Sequence, residues 1–361
     1  MVFRVNTDLA HTIYISTVNI GDIYMSFESE SIKIRHINEG GMATVDEYEH
    51  PRLGRVAVKF LKDDLLNEQL ISDLFLNEAC RMLSVRHPNI VEVYEAIYFG
   101  DRSSINRPAI VMQMIEGPTL EDQLKHGRLP WISETDLLAQ NVSQIAQQVL
   151  DALVYTHTQM NEPLLHLDLK PSNIMISWEL DQRTGVEAPI VRVLDFGISQ
   201  CQNAESFIKG GTIEYMAPEQ HGEFTGNDPL RPETDLFALG LTLYELLTGE
   251  LPWDPEASSA EIFEMKQQGQ IPHVCTVNPL IPQHVGDTIA KALHPDMKSR
   301  FSSSTEMAMA LKNEKPKPPV NISEIVPKEE RHETIAPVKR SKSRVWVGAM
   351  IVVLVILLSD C

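Results

Sequence analysis

Residues 166–173 place a carboxylate, an amine and an amide within eight positions, directly before an apolar run. The carboxylate of Asp168 can accept or orient a hydroxyl proton, and the ammonium of Lys170 can neutralise a nearby anion. The amide oxygen of Asn173 suits a hard divalent cation. Pro171 restricts the residue before it to extended backbone conformations, which stiffens the loop. Taken alone, the stretch is either a catalytic loop or a polar turn that enters a strand.

A second carboxylate, Asp195, follows the apolar stretch Ile190–Leu194 and precedes Phe196 and a glycine. Together with Ile174–Trp178, this stretch predicts a hairpin of two strands. Such a hairpin returns Asp195 to the side of Asn173, where the two side chains supply oxygen ligands for a cation such as Mg²⁺. On its own, an Asp close before a Gly is more often an ordinary turn.

Two features nearer the N-terminus could bind phosphate. Residues 32–37 alternate with period two and lead into a predicted glycine-rich turn over residues 38–45, whose N–H groups can approach phosphate oxygens. Most glycine-rich hairpin turns, however, bind nothing. The strand predicted over residues 55–60 contains Lys59, and the next helix carries Glu78 on its apolar stripe. Because an unpaired buried charge is costly, we expect these two side chains to pair; otherwise Lys59 is an edge residue that reaches water.

The remaining pattern describes the elements that must hold these residues. Two more strands are expected around residues 90–98 and 109–114, and the sequence at 116–118 predicts a hinge. A long amphipathic helix follows. Residues 236–247 are apolar nearly all round and predict a buried helix, with Asp235 placed to cap its N-terminus.

Composition describes a globular chain and excludes one class of partner. The chain has 361 residues, of which 43% are hydrophobic, and its net charge of −19 argues against binding nucleic acid. The four cysteines show no spacing typical of zinc sites or disulfides, which favours a reducing compartment. Residues 1–30 form an extension without the features of a signal peptide, and residues 312–344 predict a disordered basic linker.

Residues 345–358 are apolar throughout and follow a group of basic residues. We expect a single-pass C-terminal membrane anchor with the preceding domain on the cytoplasmic side. The alternative is an apolar docking helix or a truncated end, because fourteen helical residues span about 21 Å and the hydrocarbon core is about 30 Å thick.

With these motifs and elements in this order along the chain, residues 32–311 resemble the eukaryotic-type protein kinases. The ordered set that carries the resemblance is Gly40, Lys59, Glu78, Asp168, Lys170, Asn173, Asp195 and Ala217-Pro218-Glu219. The segment Tyr215–Gln220, the Glu-Gly-Gly-Met turn and the basic linker are most similar to bacterial membrane-anchored serine/threonine kinases. The resemblance implies an α+β bilobal fold, with a small antiparallel-sheet N-lobe containing one helix (residues 31–115) and a larger, mainly helical C-lobe (residues 116–311).

The resemblance also implies ATP and Mg²⁺, or Mn²⁺, as cofactors and Ser/Thr-containing proteins as substrates. Asp168 and Lys170 would be catalytic, Asn173 and Asp195 would hold the metal, and Arg300 would pair with Glu219. Met112 matches the gatekeeper position, and the three residues after it match the hinge against the adenine. The residues expected to bind the nucleotide are Asn38, Gly40, Gly41, Val45, Ala57, Lys59, Glu78, Met112, Gln113, Met114 and Ile115.

Three departures from the family pattern leave an alternative open. Asn38 and Ala43 replace the first and third glycines of the turn, so we expect weaker closure over ATP. Leu167 replaces the arginine that usually precedes the catalytic Asp, so a phosphate on the activation segment loses its usual partner. We therefore expect activity to depend little on phosphorylation there. The alternative is a pseudokinase that serves as a nucleotide-binding membrane scaffold; self-association in the membrane is a further possibility. A small-molecule phosphotransferase is disfavoured by the Ala217–Glu219 segment.

Overall fold

A computed structural model of the chain describes residues 31–67, 69–99, 107–126, 135–160, 162–180, 187–196, 213–221 and 229–313. The predicted extension at residues 1–30 and the apolar segment at residues 345–358 lie outside this part, as does almost all of the predicted linker. Among the described residues, no helix is both long enough and apolar enough to cross a membrane.

An antiparallel sheet of five strands forms the N-lobe, in the spatial order β1-β2-β3-β5-β4. In chain order the strands are β1 (Ile32–Glu39), β2 (Ala43–His50), β3 (Gly54–Leu61), β4 (Val93–Phe99) and β5 (Arg107–Gln113). Helix α1 (Gln69–Met82) connects β3 to β4. Alternation along β3 places Val56, Val58 and Phe60 in an apolar cluster on one face, while Leu61 joins the main core. Lys59 therefore points away from that cluster.

The connection between β1 and β2 is shorter than the predicted turn over residues 38–45. In the structure β1 continues to Glu39 and β2 begins at Ala43, so only residues 40–42 turn. Gly40 donates its N–H to the carbonyl oxygen of Ala43 at 2.8 Å. Asn38 and Val45 are paired across the two strands.

Strand β2 carries two buried carboxylates, Asp46 and Glu47, which interrupt the alternation of apolar and polar residues that usually marks a strand. Asp46 contacts Lys33 at 2.6 Å. Glu47 is only 1% exposed and is bound at 2.7 Å by Arg35 from β1 and at 2.6 Å by Arg55 from β3. These guanidinium hydrogen bonds hold the pKa of Glu47 below its usual value, against the opposing effect of burial. A strand signal based on apolar residues misses β2 because paired charges replace apolar side chains there.

Helices make up most of the C-lobe. They are α2 (Leu120–Lys125), α3 (Thr135–Thr158), α4 (Pro232–Thr248), α5 (Ser259–Gln267), α6 (Val274–Val277), α7 (Gln283–Ala292) and α8 (Ser304–Leu311). A two-stranded hairpin, β6 (Ile174–Leu180) and β7 (Glu187–Val193), lies between α3 and α4 in the chain. Helix α4 is buried along almost its whole length, as its apolar sequence predicts, and ends at Gly249 in the left-handed conformation.

The segment at residues 116–118 leads from β5 into the C-lobe and packs against β6. Gly117 has a φ of +151°, and a Cβ there would lie 1.9 Å from the carbonyl oxygen of Ile176. The N–H of Ile176 donates to the carbonyl oxygen of Pro118 at 3.0 Å. The close approach of the two backbones therefore requires a glycine at this position.

Candidate active site

Asp168 is held in a fixed orientation by Lys170 and Asn173, which follow it in the same loop. Lys170 Nζ lies 2.8 Å from Asp168 Oδ2, and Asn173 Nδ2 lies 3.0 Å from the same oxygen. Asn173 Nδ2 also donates to the Asp168 carbonyl oxygen at 2.8 Å. The Asp168 side chain nevertheless remains 25% exposed. The carboxylate is thus oriented by its neighbours and accessible to a substrate.

The backbone before Asp168 is bent, and Asp235 supplies the acceptors that this bend requires. Leu167 has a φ of +63° and is 2% exposed. Asp235 accepts hydrogen bonds from the N–H groups of His166 and Leu167, each at 2.8 Å. The prediction that Asp235 caps its own helix is wrong: α4 begins at Pro232, and Asp235 lies inside its first turn. Its carboxylate binds the 166–173 loop because two buried N–H groups there need an acceptor.

A buried polar chain supports the Asp235 carboxylate from its other side. His157 Nε2 lies 2.8 Å from Asp235 Oδ2, and His157 Nδ1 lies 3.0 Å from the hydroxyl of Ser304 on α8. Burial favours the neutral carboxyl, but the hydrogen bond and charge of His157 outweigh it and lower the pKa of Asp235. Asp235 therefore stays charged and links α3, α4 and the 166–173 loop.

The hairpin brings Asp195 to the 166–173 loop, as the sequence predicts. Ile174 pairs with Val193, and the N–H of Leu194 donates to the carbonyl oxygen of Asn173 at 2.9 Å. Asp195, with a φ of +52°, then presents Oδ1 to Lys59 Nζ at 2.7 Å. An acid from the C-lobe and a lysine from the N-lobe thus meet in the cleft between the lobes.

His166 fixes the relative position of the 166–173 loop and the strand that leads to Asp195. Its Nε2 donates to the carbonyl oxygen of Leu194 at 2.8 Å, and its Nδ1 accepts from the N–H of Asp168 at 3.2 Å. Complete burial lowers the pKa of His166, so the neutral tautomer that satisfies both bonds is favoured. The ring packs against Phe196 with a centroid separation of 4.6 Å.

The predicted pair between Lys59 and Glu78 is untested. Glu78 lies on α1, but its side chain is outside the described part of the structure. Lys59, on β3, is buried and contacts Asp195. Its pairing with Glu78 stays a prediction.

Most of the predicted nucleotide-binding residues lie on strands of the N-lobe sheet or on the segment that leads from it to the C-lobe. Ala57 on β3 pairs with Met112 on β5, and Met112 helps to line a small apolar cavity beside Lys59. Gln113 ends β5, and Met114 and Ile115 continue toward the 116–118 segment. Their contacts with an adenine stay predictions, as does the approach of Gly40 and Gly41 to phosphate. Ser199, Ser206 and Thr212 lie outside the described residues.

The protein kinase domain family matches residues 32–313 of this chain. The chain belongs to this family. It is 30% identical over 281 residues to the probable serine/threonine-protein kinase PknB of Lactococcus lactis, covering 76% of this chain and 40% of that protein. It is 30% identical over 284 residues to the serine/threonine-protein kinase PrkC of Bacillus subtilis, covering 77% and 39%. The chain therefore spans about two fifths of the length of these relatives.

Solved structures agree on the fold. The kinase domain of Mycobacterium tuberculosis PknI has a TM-score of 0.59 to this chain at 22% sequence identity, covering 80% of this chain and 98% of that structure. The predicted α+β bilobal fold, with an antiparallel-sheet N-lobe and a helical C-lobe, is confirmed.

In this kinase domain the predicted pair between Glu219 and Arg300 is present and buried. Arg300 Nη1 and Nη2 lie 2.7 Å and 2.9 Å from the two oxygens of Glu219. The Arg300 guanidinium also stacks over the ring of Phe237 on α4, with Cζ 4.7 Å from the centroid. Thr234 donates to Glu219 at 2.8 Å. This network fixes the segment that follows the undescribed residues 197–212 onto the C-lobe core.

Two contacts of the kinase domain were not foreseen from the sequence. Gln220 Nε2 donates to the carbonyl oxygen of Leu167 at 2.9 Å, which joins the Ala217–Glu219 segment to the 166–173 loop. The other is the bond of Asp235 to that loop. The signal available in the sequence was a carboxylate at the start of an otherwise apolar helix, since a buried charge requires partners.

Proposed function

We propose that this chain is an ATP-dependent serine/threonine protein kinase, which transfers the γ-phosphate of ATP to Ser or Thr hydroxyls of proteins. The observation that carries the proposal is the arrangement around Asp168. Its carboxylate is oriented by Lys170 and Asn173 within one loop, and the ion pair of Lys59 and Asp195 lies at the end of the adjoining hairpin. The names of the curated relatives as serine/threonine kinases support the same activity.

Each of these groups has a role in such a transfer. Asp168 accepts or orients the proton of the attacking hydroxyl, and Lys170 offsets negative charge on the transferring group. Lys59 contacts the phosphates of ATP. Phosphoryl transfer requires positioning and charge neutralisation more than covalent chemistry, and this set of side chains supplies both.

The donor set also fits a divalent metal ion. Both hydrogen bonds of the Asn173 amide nitrogen go to Asp168, so the amide oxygen is the atom that can face a cation. Asp195 adds a carboxylate, and hard oxygen donors of this kind suit Mg²⁺ or Mn²⁺. When bound, the ion neutralises charge on the β- and γ-phosphate oxygens. Asn173 and Asp195 would hold it.

Protein hydroxyls are the acceptors that the C-lobe favours. The Ala217–Glu219 segment is fixed by the buried pair with Arg300 and joined to the catalytic loop through Gln220. A rigid segment beside an accessible carboxylate can align an extended polypeptide. Lys170, two residues after the catalytic Asp, is similar to the pattern of serine/threonine kinases.

The direct test incubates the full chain with γ-labelled ATP and a generic protein substrate, in separate reactions with Mg²⁺ and Mn²⁺. Wild type should transfer label, and Lys59→Met should lose at least 99% of the rate, because the variant removes the cation that holds Asp195 and the phosphates. Lys298→Met is the matched control, since Lys298 is exposed, and it should keep the wild-type rate. Nucleotide binding without transfer by wild type would favour the pseudokinase alternative.

Activity should not require phosphorylation of the segment that contains Ser199, Ser206 and Thr212. The residue before Asp168 is Leu167, which is buried and offers no cation to a phosphate. We expect phosphatase-treated and untreated enzyme to transfer phosphate at rates within about twofold of each other. The comparison needs mass spectrometry to verify that the treated enzyme is unphosphorylated. A large drop after treatment would contradict the prediction.

We also propose that residues 345–358 anchor the kinase to a membrane, with the catalytic domain on the cytoplasmic face. An apolar run after a basic stretch supports this orientation. The full chain should remain in the membrane fraction after washing with high salt, and a variant that lacks residues 345–361 should not. Equal partitioning of the two would rule out the anchor.

A further inference from the structure

A buried lysine on α5 binds the backbone of the segment beside the catalytic loop. Lys266 is completely buried, and its Nζ donates to the carbonyl oxygens of Ile213 at 2.6 Å and Met216 at 2.9 Å. Its ammonium group also lies 4.9 Å from the ring centroid of Trp253. Residues 213–216 form a turn, closed by a bond from the N–H of Met216 to the carbonyl oxygen of Ile213 at 3.3 Å.

Burying the amine of Lys266 costs free energy, and its contacts must offset that cost. A lysine rarely lies fully inside a protein unless its donors are satisfied. Here two carbonyl oxygens and an aromatic face receive the ammonium, and replacing the lysine with an apolar residue would leave both carbonyl oxygens without this donor. The side chain therefore fixes the 213–216 turn to α5.

The 213–216 turn is also tied to the two elements on its other sides. Tyr215, within the turn, hydrogen-bonds through its hydroxyl to the carboxylate of Glu245 on α4. Directly after the turn, Ala217 donates its N–H to Gln220 Oε1 at 2.9 Å, and Gln220 in turn binds the carbonyl oxygen of Leu167. A displacement of the turn from α5 is therefore passed to the residue that precedes Asp168.

We propose that Lys266 is a positioning residue for the protein substrate: it holds the 213–216 turn where the acceptor polypeptide is presented to Asp168. This inference rests on the proposed kinase function. Lys266 has no contact with the groups assigned to ATP or metal. Its loss should weaken the use of the polypeptide substrate more than the use of ATP.

The ionisation of Lys266 offers a readout that a purely structural role would not give. Burial lowers the pKa of Lys266 to about 7, while the charge of Glu214 on the turn favours the ammonium form. His221, another titratable group near it, has its pKa lowered to about 4 by burial and by Lys266, so it is neutral in this range. Burial raises the pKa of Tyr215, which therefore keeps its proton. An exposed lysine has a pKa of about 10.4, so a movement that releases the turn and exposes Lys266 takes up a proton between about pH 7 and 10. The turn should therefore be held more firmly above pH 7 than below it.

The test measures kcat and KM of the full chain for a serine peptide that has no group titrating between pH 6 and 8, chosen by turnover with wild type. At pH 6.5, Lys266→Met should raise the peptide KM about tenfold, with the KM for ATP within twofold of wild type. Lys266→Gln keeps N–H donors, and its peptide KM should lie between those of wild type and Lys266→Met. Lys298→Met, an exposed-site control, should match wild type.

The pH profile completes the test. The peptide KM of wild type should fall as the pH increases through about 7, and both Lys266 variants should lose this fall. A folded Lys266→Met enzyme with the wild-type KM and pH profile would overturn the proposal. If Lys266→Met does not fold, the profiles of wild type and Lys266→Gln decide, and identical profiles would overturn it. Absence of any transfer by wild type would instead contradict the proposed kinase function, and the substrate role with it.

Discussion

Asp168→Asn should lower kcat for phosphate transfer by about a thousandfold, which is within the range for loss of a general base. The amide cannot accept a proton from the substrate hydroxyl, and it weakens the contact with Lys170, which lies 2.8 Å from Oδ2. The affinity for ATP should stay within about twofold of wild type, because the groups assigned to the phosphates are unchanged. Single-turnover transfer and nucleotide binding, measured separately, test the two halves of this prediction.

The matched control for this variant is Asp151→Asn, at an exposed position on α3. It makes the same chemical change away from the cleft, and it should keep the wild-type kcat. A kcat for Asp168→Asn within tenfold of wild type would remove Asp168 from the catalytic role. Loss of ATP binding in the same variant would show that the residue organises the cleft rather than acting on the hydroxyl.

The second large effect is a loss of folding stability when Asp235 is replaced. Asp235→Asn should lower the free energy of unfolding by about 3 kcal/mol, because one amide oxygen cannot replace two carboxylate oxygens for three donors. The donors are the N–H groups of His166 and Leu167 and Nε2 of His157. The amide nitrogen would also face a donor. Urea denaturation of wild type and variant measures the difference.

The pH dependence of this difference has a definite sign. The pKa of Asp235 is lower in the folded state, so its stabilisation is complete above the unfolded value of about 3.9 and is lost as the pH falls through the folded value. The gap between wild type and Asp235→Asn should therefore be full at pH 7 and shrink in strong acid. Asp151→Asn, at an exposed position on α3, is the control and should unfold at the wild-type urea concentration. Equal stability of Asp235→Asn and wild type at pH 7 would contradict this account.

The sequence predicts correctly which side chains lie close together when a single loop or hairpin brings them together. Asp168, Lys170 and Asn173 lie within six positions, so one loop brings their side chains together. Asp195 follows because a hairpin with Ile174 opposite Val193 returns the chain to Asn173. In such cases the pattern of strands and turns determines which side chains meet.

The features that the sequence does not reveal depend on contacts between residues far apart in the chain, which no local pattern encodes. Strand β2 was missed because Asp46 and Glu47 occupy positions where apolar residues would reveal a strand, and their partners lie on neighbouring strands. Asp235 looks like a helix cap from its position at the start of an apolar helix. Its true partners are 68 and 69 positions away. Lys266 likewise has partners on a segment about fifty positions earlier.

The measurement that tests the central proposal most directly identifies the modified residue. Wild type and Asp168→Asn, each as the full chain, are incubated with ATP, Mg²⁺ and a generic protein substrate, and the products are mapped by mass spectrometry. The account predicts phosphoserine or phosphothreonine in the wild-type reaction and almost none with Asp168→Asn, although both proteins bind ATP. Binding of ATP by both without any phosphorylated residue, or equal phosphorylation by both, would contradict it.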